Sequence, residues 1–351
     1  MTEITFQPWA DHALAVSPAQ IELGQLANEA ASNAVFYLYQ SRRPENTQRS
    51  QRAALAVFAQ FMRSNNIATP DLYTNPGAWL GITWGLVQGF QVWLLDQGYS
   101  VKTVNDRVSV VKVYMGLANQ AGIIPDGEII RLRNLRGFTR KEAVDTDTTR
   151  RKAGTPTRKG AKKQAATQIT DEQARKLTTQ PNTPQGRRDA LLMCILLDHG
   201  LRVSEVVGLA VENFNLETRQ VTFYRPKTGM TSTHTLRGRA WRALTDYLSK
   251  DHTTKSGPLL LASNKSGALL PCSGLTDRAT RERVQLLGQV LGVNHLSPHD
   301  CRHYGATKAG RDPKVSLAAL MAWGGWSSPS SAARYLDRGQ ADNDGVTLGG
   351  D

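Results

Sequence analysis

Val221-Thr-Phe-Tyr224 and Thr231-Ser-Thr-His-Thr-Leu236 alternate side chains with a period of two, and between them lies Arg225-Pro-Lys-Thr-Gly229. Alternation of this kind marks half-buried strands, and a Lys-Thr-Gly segment between two such runs marks a turn. A hairpin is therefore expected here, with Lys227 at its tip. Around it the chain reads as helix. Arg187 to His199 is an apolar helical run stopped by Gly200, the residue type that tolerates the left-handed position after a helix. Helices are expected again at Arg239–Leu248, Thr276–Leu291, His299–Ala309 and Val315–Ala322. The second half, residues 169–336, is thus mostly helical with a small antiparallel β-sheet.

The first half shows no strand-like alternation. Leu55, Phe58 and Met62 fall at spacings of three and four, with Arg49 and Arg52 on the polar side of the first turns. Val104, Val108, Val111 and Met115 form a second stripe, and Lys102, Arg107 and Lys112 lie outside it. Trp79, Trp84, Phe90 and Trp93 lie between the two stripes and are expected to help fill a helical core. Residues 21–139 read as a helical bundle, and residues 1–20, which lack periodicity, as a flexible arm. The fold class is mainly α, in two domains.

Between the halves composition changes. Residues 140–163 hold nine Lys and Arg against three acids, and apolar residues nearly vanish. Residues 140–168 read as a basic interdomain linker. It is either a solvated tether or a strap along a phosphate backbone, with Arg151 and Lys152 as contacts in the second case.

The chain has 351 residues, a length that suits about two domains. It carries 43 Lys and Arg against 30 Asp and Glu, a formal charge of +13. Such a balance favours a polyanionic partner. No run approaches a membrane span of about 18 apolar residues. The start has no secretory signature, and Cys194, Cys272 and Cys301 form no CxxC pair. A reducing, cytoplasmic setting is the expectation. No P-loop, dinucleotide fingerprint, HExxH or GxSxG occurs, so neither cofactor nor metal is expected. His295, His299 and His303 are spaced by four, but Pro298 interrupts a helix through the first two and no Glu accompanies them.

Four segments stand out in order: Gly200-Leu-Arg-Val-Ser-Glu205, Arg225-Pro-Lys-Thr-Gly229, Ser297-Pro-His-Asp-Cys-Arg-His303 and Gly324-Gly-Trp-Ser-Ser-Pro-Ser-Ser-Ala-Ala-Arg-Tyr335. Each alone is weak. Together, Arg202 with Glu205, Lys227 in a turn, His299 with Arg302, then Trp326 and Tyr335, make a specific pattern. This set resembles the tyrosine recombinase (phage integrase) family. Trp326 standing where His is commoner, and the two-domain layout, resemble its Cre-like subgroup. The resemblance implies that residues 21–139 are a core-binding domain and residues 169–336 a catalytic domain. It implies Arg202, Lys227, His299, Arg302, Trp326 and Tyr335 as the catalytic set, and site-specific cutting and rejoining of DNA through a 3′-phosphotyrosine without metal or ATP. It further implies double-stranded DNA with paired half-sites as partner and a homotetramer passing through a Holliday junction, the free protein being a monomer or weak oligomer.

Elementary chemistry fits that set. Guanidinium groups are permanently charged and present forks to oxyanions, which suits Arg202 and Arg302 to two non-bridging oxygens. Ser297 as N-cap and Pro298 at the first helical position start the helix that carries His299 and Arg302. His299 is expected to handle the tyrosine proton, and Lys227 to protonate the leaving 5′-oxygen. Tyr335 has an ordinary phenol pKa near 10 and needs activation. Trp326 is expected to pack the site and offer one N–H. Glu205 is expected to orient the Arg202 loop or Lys227. Cys301 lies beside this set in the sequence, as a burial position or an oxidation site.

For DNA reading, Arg278 and Arg281 share one face of the expected Thr276–Leu291 helix, which is either a major-groove reader or an exposed amphipathic helix. Arg49, Arg52, Lys102 and Arg107 suit phosphate contacts. Residues 337–351 form a polar, Gly-rich tail, too short to predict the C-terminal helix that family members exchange. Two other functions share the fold or the chemistry: a catalytically silent DNA-binding protein, and a type IB topoisomerase or telomere resolvase.

Overall fold

A computed structural model describes residues 17–159, 166–252 and 256–336. The chain forms two compact units, residues 1–162 and 163–351. The arm expected at 1–20 lies outside the described residues up to position 16, and its end is corrected, because Ser17 caps a helix that already starts at Pro18; the tail at 337–351 lies entirely outside them.

The first unit consists, among its described residues, of α1 (Pro18–Ser41), α2 (Glu45–Ser64), α3 (Trp84–Asp96), α4 (Val101–Gln120), α5 (Asp126–Asn134) and α6 (Arg140–Lys152), with a short 3-10 turn at Pro76–Trp79. Ser17, Thr83 and Ser100 cap α1, α3 and α4 through their side-chain oxygens. The stripes expected on α2 and α4 face one core. Leu55, Phe58 and Met62 meet Val104, Val108, Val111 and Met115 there, around fully buried Trp79 and Phe90. Trp84 and Trp93 pack at its edge.

The expectation of a linker from residue 140 is corrected at its first half. Residues 140–152 form α6, opened by a reciprocal Thr139–Glu142 capping box. Arg150 is buried and fastens α6 to its unit. Its guanidinium donates to the carbonyl of Leu95 at 2.8 Å and pairs with Asp147 at 3.1 Å. One buried cation does here what an apolar stripe usually does, so periodicity alone misses the helix. Residues 160–165 lie outside the described part.

The second unit contains α7 (Asp171–Thr178), α8 (Pro184–Asp198), α9 (Val203–Val207), β1 (Phe214–Asn215), β2 (Gln220–Arg225), β3 (Met230–Thr235), α10 (Gly238–Lys250), β4 (Leu261–Ser263), β5 (Leu269–Gly274), α11 (Asp277–Val290), α12 (Pro298–Gly310), α13 (Leu317–Gly324) and α14 (Pro329–Ala333). Apolar α8 lies at the centre of its core, in contact with α7, α10 and α12. The expected hairpin is present. It pairs Gln220 with Thr235 and Arg225 with Met230, and β1 adds an edge strand antiparallel to β2. A second antiparallel pair, β4 with β5, has no counterpart in the sequence reading. No described helix is long and apolar enough to cross a membrane.

Candidate functional site

On β2, Val221, Phe223 and Arg225 alternate inward. Two of these are ordinary core residues. The third is a guanidinium with no exposed surface. A charge in that position requires partners, and it has them. Arg225 Nη1 reaches Glu205 Oε2 at 3.1 Å, Nη2 donates to the Trp323 carbonyl at 2.9 Å, and Nε donates to Ser232 Oγ at 2.7 Å. Burial lowers its pKa, and the Glu205 carboxylate partly opposes that.

Glu205 is the hinge of the cluster. It sits in the first turn of α9, with 2 % of its surface exposed. One carboxylate oxygen pairs with Arg202 Nη1 at 2.7 Å, and the other accepts from the Arg202 backbone N–H at 2.8 Å. Glu205 thus holds the Arg202 loop through two contacts and links it to Arg225 rather than to Lys227. Arg202 keeps a partly exposed guanidinium.

Ser297 and Asp300 form a capping box at the start of α12, and Pro298 occupies its first turn, as the sequence suggests. Arg302 is buried on this helix. Its two terminal nitrogens donate to the carbonyls of Gly200 at 2.6 Å and Gly324 at 2.5 Å. Its guanidinium lies over the Trp326 ring, 4.6 Å from the centroid. Burial first, and then the Arg202 charge, pull its pKa down to about 10. The Gly324 carbonyl also accepts from Arg225 Nη1 at 3.4 Å, so α13 ends where the two buried arginines meet. Gly325 makes this possible. It has φ 58°, and a Cβ there would lie 2.5 Å from Arg225 Cδ.

Trp326 stacks on Tyr335 with ring centroids 5.5 Å apart. Tyr335 follows the short α14 and is half-buried. Its hydroxyl is 3.4 Å from His303 Nε2, and His303 in turn stands edge-on to His299 at 4.6 Å between centroids. Burial raises the Tyr335 pKa, partly offset by Arg334 and Arg302. Partial enclosure lowers the pKa of His299 and of His303. Arg302, Trp326, Tyr335, His303 and His299 therefore form one continuous chain of contacts, and Glu205 and Arg225 join Arg202 to it. Lys227 lies exposed in the hairpin turn, outside these contacts. Cys301 is fully buried behind the helix face.

Two residues of the cluster were not assigned roles from the sequence. Arg225 announces itself only as a cation at an inward position of an alternating strand. His303 lies four residues after His299, on the same helix face.

The residues expected to touch DNA occupy surfaces, many with partners. Arg49 pairs with Glu45, Lys102 with Asp106, Arg278 with Glu282 and Arg281 with Asp277. Exposed pairs of this type contribute little to stability and are easily exchanged. Arg52 and Arg107 lie over the rings of Tyr73 and Tyr99. Arg151 donates to the Asp147 carbonyl at 3.1 Å, and Lys152 is exposed. Arg283, not singled out from the sequence, ties α11 to α8 through buried Asp189.

Near the site, His234 Nε2 is 3.3 Å from Arg225 Nη2 and so acts as an acceptor in the neutral ring. Burial, then the charges of His199, Arg225 and Arg302, push its pKa down to about 3. The native state resists a proton that the unfolded chain accepts below about 6.5. Stability is thus full above that pH and falls as pH drops. Between about pH 6.5 and 5 this residue should contribute a slope of about 1.4 kcal/mol per pH unit. Denaturant melts across that window should show a shallower slope for His234→Phe than for wild type.

The Phage integrase family matches residues 167–341. Tyrosine recombinase XerC of Roseiflexus castenholzii is 26 % identical over 262 residues, covering 74 % of this chain and 72 % of that protein. Tyrosine recombinase XerC of Pelobacter propionicus is 32 % identical over 163 residues, covering 44 % of this chain and half of its own length. Among solved structures, the Tn1549 transposon integrase in complex with a circular intermediate DNA aligns with TM-score 0.61 at 14 % identity, over 90 % of this chain and 98 % of that one. A lambda integrase dimer bound to a COC′ core site aligns with TM-score 0.56 at 14 % identity, over 88 % of this chain and 95 % of that one. With the ordered motifs, the helical architecture and the family match pointing the same way, the chain belongs to the tyrosine recombinase (phage integrase) family.

Proposed function

We propose that this protein is a site-specific DNA recombinase that cleaves and rejoins strands through a covalent bond between Tyr335 and a DNA 3′-phosphate. The observation that carries the reading is the chain of contacts from Arg302 over Trp326 to Tyr335. It holds a nucleophile beside a buried permanent cation, while Glu205 holds Arg202 in the same cluster. The two guanidiniums bind the non-bridging oxygens and stabilise the charge that grows on them. Trp326 walls the site. Among the described residues its indole N–H has no protein acceptor, so it is available to a phosphate oxygen. Lys227, on its exposed turn, protonates the departing 5′-oxygen once DNA draws the hairpin in. Exchanging a phosphodiester for a phosphotyrosine ester conserves bond energy, and neither ATP nor metal is required.

The full reaction uses paired half-sites, four protomers and a Holliday junction. Arg278 and Arg281 read bases, and Arg49, Arg52, Lys102, Arg107, Arg151 and Lys152 hold phosphates. Related proteins with solved structures are described as bound to DNA, which supports that partner.

Covalent capture tests the reading. The protein is incubated with sheared DNA of its own genome, denatured and digested, and the adduct is mapped by mass spectrometry. A nucleotide on Tyr335, with one recurring DNA sequence attached, is the expected result. Adducts without sequence preference would indicate topoisomerase-like relaxation instead. Tight, salt-sensitive binding without adduct would indicate a silent DNA-binding protein.

A further inference from the structure

Arg225 is the last residue of β2, paired with Met230, and its two ends serve different parts of the site. Its backbone carbonyl accepts from the N–H groups of Thr228 at 3.1 Å and Gly229 at 2.9 Å, which closes the turn that carries Lys227. Its side chain runs inward to the end of α13, next to Trp326. We propose that Arg225 is a positioning residue for protonation of the leaving oxygen: it fastens the root of the Lys227 turn to the segment that carries Trp326, and so holds the Lys227 ammonium in register with the phosphate that Tyr335 attacks. The proposal rests on the strand-transfer reading above, with Lys227 as the proton donor.

A guanidinium has five N–H donors in a rigid fork, and here each has an acceptor. Nε donates to Ser232 Oγ at 2.7 Å on the facing strand. Nη1 reaches Glu205 Oε2 at 3.1 Å and the Gly324 carbonyl at 3.4 Å. Nη2 reaches the Trp323 carbonyl at 2.9 Å and His234 Nε2 at 3.3 Å. These five partners come from α9, β3 and the end of α13, so the fork fixes the separation of three segments at once. The glycines show how closely the last of them is pressed. A Cβ at Gly325 would lie 2.5 Å from Arg225 Cδ, and a Cβ at Gly324 would strike the Trp326 ring. The segment 323–326 is thus wedged between Arg225 and Trp326, and Trp326 stacks on Tyr335.

Arg225 has no exposed surface, so it acts through the turn and not on the phosphate. Lys227 follows two residues later, exposed. A lysine is a point charge on a flexible stem, and the pose of its turn decides where the ammonium spends its time. A proton donor held in place gains the advantage of an intramolecular group over a diffusing one.

The test compares leaving groups. In cleavage the bond from phosphorus to the 5′-oxygen breaks, and Lys227 Nζ supplies the proton that oxygen takes. Sulfur in the same bridging position departs as a thiolate and needs no proton, because a thiol ionises near about pH 8.5. Single-turnover cleavage is measured on a duplex carrying the site recovered from wild-type adducts, with oxygen or sulfur at that position. Lys227→Ala sets the standard, with an expected loss of about 10²-fold or more on oxygen and little on sulfur. Arg225→Lys keeps a charge opposite Glu205 but not the fork. It should lose about tenfold or more on oxygen and stay within about threefold of wild type on sulfur. Combined with Lys227→Ala it should be no slower than Lys227→Ala alone, since nothing is left to position. Ser232→Ala removes one of the five contacts and leaves both buried charges in place. It should show the same pattern on a smaller scale, about fivefold on oxygen, and it carries the comparison alone if Arg225→Lys does not fold. Equal losses on oxygen and sulfur overturn the proposal and make Arg225 a support of the whole site. Losses that multiply in the double variant overturn it, and so do oxygen rates at the wild-type level in Arg225→Lys and Ser232→Ala. An unimpaired Lys227→Ala would remove Lys227 as the donor, and no adduct with wild type on either duplex would sink the strand-transfer reading itself.

Discussion

Tyr335→Phe is expected to abolish covalent attachment to DNA, with cleavage falling by about 10⁵-fold or more, the scale seen when an enzyme loses its nucleophile. Stability and DNA binding should barely change. The phenyl ring keeps its stack on Trp326, and among the described residues the lost hydroxyl gives up the 3.4 Å contact to His303. A contact that long is worth about 1 kcal/mol or less. The separation of the two effects is the informative part. Adduct yield, melting temperature and equilibrium DNA binding, measured on one preparation, would show total loss in the first and near-identity in the others. A large drop in melting temperature would mean that Tyr335 is a packed core residue.

Glu205→Ala is expected to have the largest effect on stability of any single change in the site, about 3–5 kcal/mol, because it leaves buried cations without their carboxylate. Arg225 has no exposed surface, and Glu205 is its ion-pair partner. The same change frees the Arg202 loop, which loses both a guanidinium contact and a backbone contact. Cleavage should therefore fall as well. Denaturant unfolding of Glu205→Ala, Arg225→Met and the double variant separates the causes. The double variant should regain part of the loss, since removing the stranded charge removes its penalty. Strict additivity of the two losses would mean that Glu205 and Arg225 do not act as a pair.

The parts of this fold that sequence reading reached are those in which local chemistry and tertiary structure agree. Ser297-Pro298 starts α12 where a cap and an N1 proline belong, and Lys-Thr-Gly turns the β2–β3 hairpin. The valine stripe of α4 faces its core. The parts missed are those where a few long-range contacts override weak local signals. α6 has a legible cap but almost no apolar face, and buried Arg150 holds it in place. β4 and β5 are short, and the run Leu269-Leu-Pro-Cys-Ser-Gly274 contains a proline and a cysteine at φ 61°. Nothing in such a segment resembles alternation. The site divides in the same way. Arg202, His299, Arg302, Trp326 and Tyr335 stand in recognisable motifs, whereas Arg225 and His303 gain their significance only from what folding places against them. The described partner of the Tyr335 hydroxyl, His303, lies on the same face of one helix as His299.

The grouping of Arg202, Arg225 and Arg302 around Glu205 has a consequence for the protein without DNA. Like charges are brought close in a poorly hydrated corner, and Arg302 feels the repulsion of the other two. That corner is electrostatically frustrated: folding assembles charges whose mutual repulsion the chain itself relieves only in part. A phosphodiester brings the missing negative charge. On the proposed function, the duplex completes the electrostatics of the fold, and binding and local ordering become one linked equilibrium.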